Sequence, residues 1–248
     1  MRRILAAAVL TLAASPFALG QTTNQQAGQS QATAPAAASE LYHIHVVQAA
    51  PGQLTQLIDA YRNGAAPAAS EPQFTPIILR HREGSEWDLI VITPLGKQTT
   101  ISAAPLPQAV QDANQRRQPL TAWHGDTFAT GPSWAVVQKA LVPAKGEEPV
   151  YVVSDLRSLP GHRPQLRQVL DRNAQDTPGR SVLFAHAEGA PWNFLTVTRY
   201  DSWAALGAPP PPPQAGAARQ DAGLPIREHL AVHHDTITVY VSGGQPIR

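Results

Sequence analysis

The sequence predicts an α+β fold made of one β-α-β-β-α-β module written twice. Three observations carry this. First, Tyr42 with Pro51-Gly52 returns as Tyr151 with Pro160-Gly161, and His124-Gly125-Asp126-Thr127 returns as His233-His234-Asp235-Thr236, each displaced by 109 positions. Second, between these landmarks the stretch from His81 to Trp87 returns from His186 to Trp192, displaced by 105, with Thr93 following as Thr198. Self-similarity that keeps one order marks a duplicated structural unit. Third, within each copy the hydrophobic pattern switches between strand-like and helix-like periods in the same succession.

Leu41 to Gln48 is short and rich in β-branched and aromatic residues, which suits a strand. Pro51-Gly52 ends it. Leu54, Leu57, Ile58 and Tyr61 then recur at helical spacing, as Leu166, Val169 and Leu170 do in the second copy. Pro76 to Arg82 and Trp87 to Thr93 flank Glu83-Gly84-Ser85-Glu86 as a hairpin, repeated by Ser181 to Ala187 and Trp192 to Thr198. A more polar helix is expected around Pro107 to Ala122 and again around Pro225 to Val232. Thr236 to Val241 closes the second copy as a strand, and Thr127 to Thr130 is its weaker counterpart. This succession is the ferredoxin-like order. The first repeat spans residues 40–146 and the second 147–248, with a Pro-rich insert at 208–222 that can be neither helix nor central strand.

Residues 1–20 read as a cleavable signal peptide: Met1-Arg2-Arg3, an uncharged run from Ile4 to Ala14, and small residues at Ala18 and Gly20. The arginine pair leaves the twin-arginine route open. The apolar run is shorter than the ~20 residues of a spanning helix, so no membrane span is expected. Residues 21–39 are polar, Ala-rich and almost uncharged, a disordered linker. A periplasmic or secreted protein follows as the expectation.

There is no cysteine, which excludes disulfides, thiolate metal sites and a Cys nucleophile. The formal charge is +1, and −1 without Arg2 and Arg3, so the basic excess of a nucleic-acid binder is missing. Neither a phosphate-binding Gly loop, a GxSxG elbow nor a dinucleotide fingerprint is present.

Two such modules in one chain resemble the dimeric α+β-barrel superfamily in its fused, tandem form. The strings HREGSEWDLIVITP and HHDTITVYV also resemble segments of secreted bacterial proteins of that type, and the resemblance spans Glu40 to Val241. It implies two ferredoxin-like sheets paired edge to edge into a pseudo-dimeric barrel with helices outside. It implies no single activity, because the superfamily holds monooxygenases, haem-degrading enzymes, isomerases, chlorite dismutases and ligand binders.

Three groups of residues could carry chemistry. With the hairpin centred on Gly84-Ser85, His81 faces Asp88, a candidate catalytic pair in which the carboxylate orients the imidazole. His186 faces Asn193 in the second copy, and recurrence equally suits a structural fastening. Trp87 and Trp192 fall on the opposite face, as packing against helices or as a ligand platform. His43 and His45, alternate positions of one strand, share a face and suit a metal or a polar pocket wall, whereas Val152 and Ser154 stand there in the second copy. His229, His233 and Asp235 form the third group. If the helix reaches His233, the two histidines are i, i+4 metal ligands; otherwise His and Asp fasten a turn.

Candidate catalytic residues are thus His81 and Asp88; ligand-binding ones His43, His45, Trp87, His186 and Trp192; metal-binding ones His229, His233 and Asp235. The leading expectation is an exported binder of a small apolar or aromatic molecule. The alternatives are a monooxygenase-like or metal- or haem-dependent enzyme, and an interaction module without a pocket. The cofactor and the oligomeric state stay open.

Overall fold

The computed structural model describes residues 39–63, 75–97, 108–176, 180–208 and 224–241. The signal peptide, nearly all of the linker and nearly all of the Pro-rich insert lie outside these residues. The first half contains β1 (Glu40–Ala49), α1 (Leu54–Arg62), β2 (Ile77–Glu83), β3 (Leu89–Gly96), α2 (Gln108–Arg117) and β4 (Thr121–Gly131). After the connecting α3 (Trp134–Leu141) come β5 (Val150–Ser158), α4 (Arg163–Asp176), β6 (Ser181–Glu188), β7 (Phe194–Tyr200), the short α5 (Trp203–Leu206) and α6 (Leu224–Arg227), and β8 (Leu230–Tyr240).

Each half is an antiparallel sheet in the order 4-1-3-2, and the two join through β2 with β8 and β4 with β6 into one closed eight-stranded barrel. Closure removes every exposed edge. Alternation along the strands decides what fills it. Tyr42 and Ile44 of β1 point inward with Leu79, Ile92, Tyr151, Phe184 and Leu195, a core drawn from both halves. An eight-stranded barrel is just wide enough for such side chains to fill. The outward residues Val47, Ile78, Leu89 and Val91 are covered by Leu57, Ile58 and Tyr61 of α1. In the second half Leu156, Leu183 and Phe194 meet Leu166 and Leu170 of α4.

The hairpin register is Ile77 with Ile92 and Leu79 with Ile90, and in the second copy Val182 with Val197. Both closing strands start earlier than their local pattern suggests. β4 begins at Thr121 and β8 at Leu230, so the expected helices end at Arg117 and Arg227. The cause is long-range: β4 pairs with β1 from Glu40–Gly131 to Ala49–Thr121, and this ladder outweighs local propensity.

One inward position exchanges an apolar residue for an acid between the halves. Where β1 has Val46, packed on the core, β5 has Asp155. Burial pushes the Asp155 carboxyl up to about 6; His234 opposes the shift and Asp235 adds to it. The unfolded chain releases this proton near pH 4, so stability falls as the pH rises between those values. Asp155→Asn is expected to stabilise the fold at pH 7 by about 2 kcal/mol. The gain should vanish as the pH drops from 6 towards 4. Urea unfolding of both proteins at pH 4 and pH 7 checks this, and an equal difference at the two pH values contradicts it.

Candidate functional site

On the outward face of the first half, period-2 alternation sets His43, His45 and Val47 of β1 beside Phe128, Asp126 and His124 of β4, pair by pair. Three imidazoles converge on one carboxylate. His43 Nε2 lies 2.6 Å and His45 Nδ1 2.7 Å from Asp126 Oδ1, and His124 Nδ1 lies 2.9 Å from Oδ2. The rings are held by neighbours: His43 stacks on Phe128 at 5.2 Å, and His45 stacks on His124 at 5.2 Å with Tyr61 of α1 on its other flank. Side-chain exposure rises from 18% for His45 and 30% for His43 to 41% for Asp126 and 54% for His124, so the cluster is anchored at the β1 histidines and opens to solvent at Asp126 and His124.

The electrostatics follow from this packing. Hydrogen bonds from His43 and His45 hold the Asp126 carboxyl far below the usual carboxylate range. Burial pushes the His45 imidazole below its ordinary value, although Asp126 works the other way. Burial also raises the Tyr61 phenol to about 12, even with the Arg117 guanidinium 4.5 Å above its ring. Two chemistries are open to such a cluster. The ring nitrogens turned away from Asp126 can move protons, or the nitrogens that meet the carboxylate can hold a cation.

The second half keeps only part of this arrangement. Asp235 accepts a hydrogen bond from Ser154 Oγ at 2.5 Å and meets His233 Nε2 at 2.9 Å, while Val152 stands in the place of His43. A cleft of about 380 Å³ opens there, between the outward face and α4, bordered by Ser154, Leu156, Leu170, Leu183, Arg199 and Asp235.

His81 and Asp88 are cross-strand neighbours, but their side chains serve different partners. His81 N–H donates to the Asp88 carbonyl at 2.8 Å, and His81 Nε2 accepts the Ser85 N–H at 3.2 Å. The Asp88 carboxylate accepts the Ala49 N–H at 2.8 Å. Asn193 does the same work in the second copy, accepting from Ser158 N–H and Oγ at 2.8 Å each. The acceptor opposite each histidine thus ties the hairpin to the first strand of its half.

The tryptophans lie on the barrel side instead of under the helices. Trp87 is buried in the shared core and Trp192 packs against it, 5.8 Å and 5.3 Å from the His81 and His186 rings. Strand pairing within the first hairpin ends at Arg80–Leu89, and Gly84 and Gly189 turn at φ +108 and +111, so strand alternation does not extend to these residues. Among the described residues, His186 Nε2 is buried without a hydrogen-bond partner.

His229 and His233 are not neighbours on a helix. His229 precedes β8 and meets His162 across 3.0 Å between Nδ1 atoms, whereas His233 and Asp235 lie within β8. The His–Asp pairs of both copies therefore sit on strands, not in turns. Among the described residues, the metal-capable group whose ligand atoms lie within 4.8 Å of one another is His43, His45 and Asp126. His43 and His45 were visible in the sequence; Asp126 and His124 were not joined to them. The available signal was the His-x-Asp alternation at 124–126, which mirrors His-x-His at 43–45.

No protein-family model and no curated protein matches the chain. Its fold is similar to that of an anthrone oxidase-like protein, with 11% identity over 82% of this chain and 92% of the other, at a TM-score of 0.52. It is also similar to a monooxygenase-like protein from Fusobacterium nucleatum subsp. nucleatum, with 10% identity over 84% and 97% and a TM-score of 0.51. The chain has the dimeric α+β-barrel fold, and one chain supplies both halves.

Proposed function

We propose that the chain is an exported α+β-barrel enzyme that oxidises a small apolar or aromatic molecule, with its reaction centre at His43, His45, His124 and Asp126. The observation that carries this is the convergence of three imidazoles on one partly exposed carboxylate. Fold alone does not assign a reaction; the oxidative class is suggested by the names of the two fold neighbours, an anthrone oxidase-like and a monooxygenase-like protein. Asp126 fixes all three rings and supplies the negative charge around which a phenolic or enolisable group can be bound and polarised. The periplasmic or secreted address rests on the pattern of the first twenty residues.

Anthrone, an enolisable ketone, and simple phenols incubated with the purified protein under air provide the test, read as oxygen consumption. Asp126→Asn, which removes the carboxylate that orients the three rings, is expected to lower kcat/KM by at least ~100-fold, the lower end of what positioned acid–base imidazoles contribute. Unchanged turnover in that variant would remove the reading. A second reading, binding without turnover, is favoured by the 380 Å³ cleft of the second half, which is within the usual size of a ligand pocket. It takes over if such molecules bind, no oxygen is consumed, and Leu183→Trp abolishes binding while Asp126→Asn does not.

A further inference from the structure

We infer that His43 Nε2, His45 Nδ1 and the Asp126 carboxylate form a binding site for one divalent first-row transition-metal ion, with His124 beside it on the second carboxylate oxygen. This rests on the reading of the same cluster as the reaction centre and names what the centre holds. The ligand atoms come from adjacent strands of a closed barrel, and all lie within 4.8 Å of one another. His43 and His45 address the same oxygen, Asp126 Oδ1, at 2.6 and 2.7 Å. Tetrahedral bonds of 2.0–2.1 Å place ligand atoms ~3.3 Å apart. An ion therefore needs the carboxylate to back away by roughly half an ångström, which a partly exposed side chain can do by rotating. Contacts with Phe128, Tyr61 and His124 limit the orientations of the two rings, whose ligand atoms have to close from within 4.8 Å to about 3.3 Å.

The donor chemistry sets the class of ion. Imidazoles with a carboxylate suit Zn²⁺, Fe²⁺, Co²⁺, Ni²⁺ or Cu²⁺, whereas Mg²⁺ and Ca²⁺ favour all-oxygen sites. Three ligands leave a coordination position open towards solvent, the arrangement of reactive rather than structural metal sites. The duplication provides an internal contrast. The second half retains His233 and Asp235, but Val152 and Ser154 replace the two strand histidines, so a single site per chain follows.

The test uses the untagged full protein, stripped with chelator and titrated with Co²⁺ by visible absorption, then with Zn²⁺ in competition. One Co²⁺ per chain is expected, displaced by one Zn²⁺. His43→Asn and Asp126→Asn should each weaken binding by at least as much as the ~10–100-fold typical of losing an outer hydrogen-bond partner of a ligand. The double variant His233→Ala with Asp235→Asn should bind as the parent does. Circular dichroism confirms folding of each variant, and His124→Ala, an exposed change, serves as a milder probe expected to weaken binding less than His43→Asn. No ion bound at micromolar Co²⁺ or Zn²⁺, or loss of binding only in the second-half variant, would overturn the inference. If the ion binds and no oxidation is found, the site stands and the enzymatic reading falls. If no ion binds yet Asp126→Asn still abolishes turnover, the reverse holds.

Discussion

Truncating Phe184 to alanine is expected to lower the stability of the whole barrel by about 3–5 kcal/mol, the usual range for losing a buried phenylalanine. Phe184 belongs to β6 of the second half, yet its fully buried ring lies edge-on to Tyr42 of the first half, 5.1 Å between centroids. The cavity would open in a core to which both halves contribute. Two edge-to-edge ladders, β2 with β8 and β4 with β6, bind the same halves from outside. The loss should therefore appear as one cooperative transition shifted down by on the order of 10 °C, not as early melting of half the molecule. Differential scanning calorimetry reads this directly. Two resolved transitions in Phe184→Ala, or a shift of only a degree or two, would show that the copies fold as separate units.

The same long-range construction explains what was legible in the sequence. Hairpin register was, because the largely apolar runs Ile77 to Arg80 and Leu89 to Ile92 flank a glycine turn and need only each other. That His43 and His45 share a face was also legible, since two residues two apart on a strand must do so; that the face is the outward one follows only from the barrel. The start of β4 was not. Residues 118–123 carry no strong period, and their strand is decided by pairing with β1, some eighty positions away in sequence. Asp126 was lost with it. Its role at the site comes from lying directly opposite His45, a relation that spacing along the chain cannot express.

The duplication by itself is ambiguous for the same reason. Asp126 and Asp235 recur, which suits a structural residue, and both sit at equivalent points of equivalent strands. Only the neighbouring strand distinguishes them: it adds His43 and His45 to the His124–Asp126 pair of β4, and Ser154 to the His233–Asp235 pair of β8. Trp87 differs for another reason: alternation holds within the paired strands up to Arg80, whereas Trp87 follows the glycine turn and precedes β3.

Gly189→Ala and Gly84→Ala are expected to cost similar stability and to differ in their effect on the site. Each glycine sits in the left-handed region, at φ +111 and +108, where an L side chain is strained. Each also presses on the opposite half. A Cβ at Gly189 would overlap the carbonyl oxygen of Asp126 and come within 3.1 Å of Thr127 Cα; one at Gly84 would overlap the carbonyl of Asp235 and come within 3.2 Å of Thr236 Cα. Both obstacles are backbone atoms of a central ladder, which cannot rotate aside. A destabilisation of about 3 kcal/mol is expected for each, the upper end of what backbone strain alone carries. The consequence for function separates them. Relief at Gly189 has to displace Asp126, the residue that holds His43, His45 and His124, so Co²⁺ affinity should fall about tenfold or more, as it does when a ligand loses its support. Relief at Gly84 displaces Asp235 and should leave Co²⁺ affinity unchanged. Because the two variants match in strain, the ratio of their metal affinities at equal folded fraction removes the stability effect and reads the site alone. Equal affinities in the pair would mean that the Asp126 backbone does not set the geometry of the cluster.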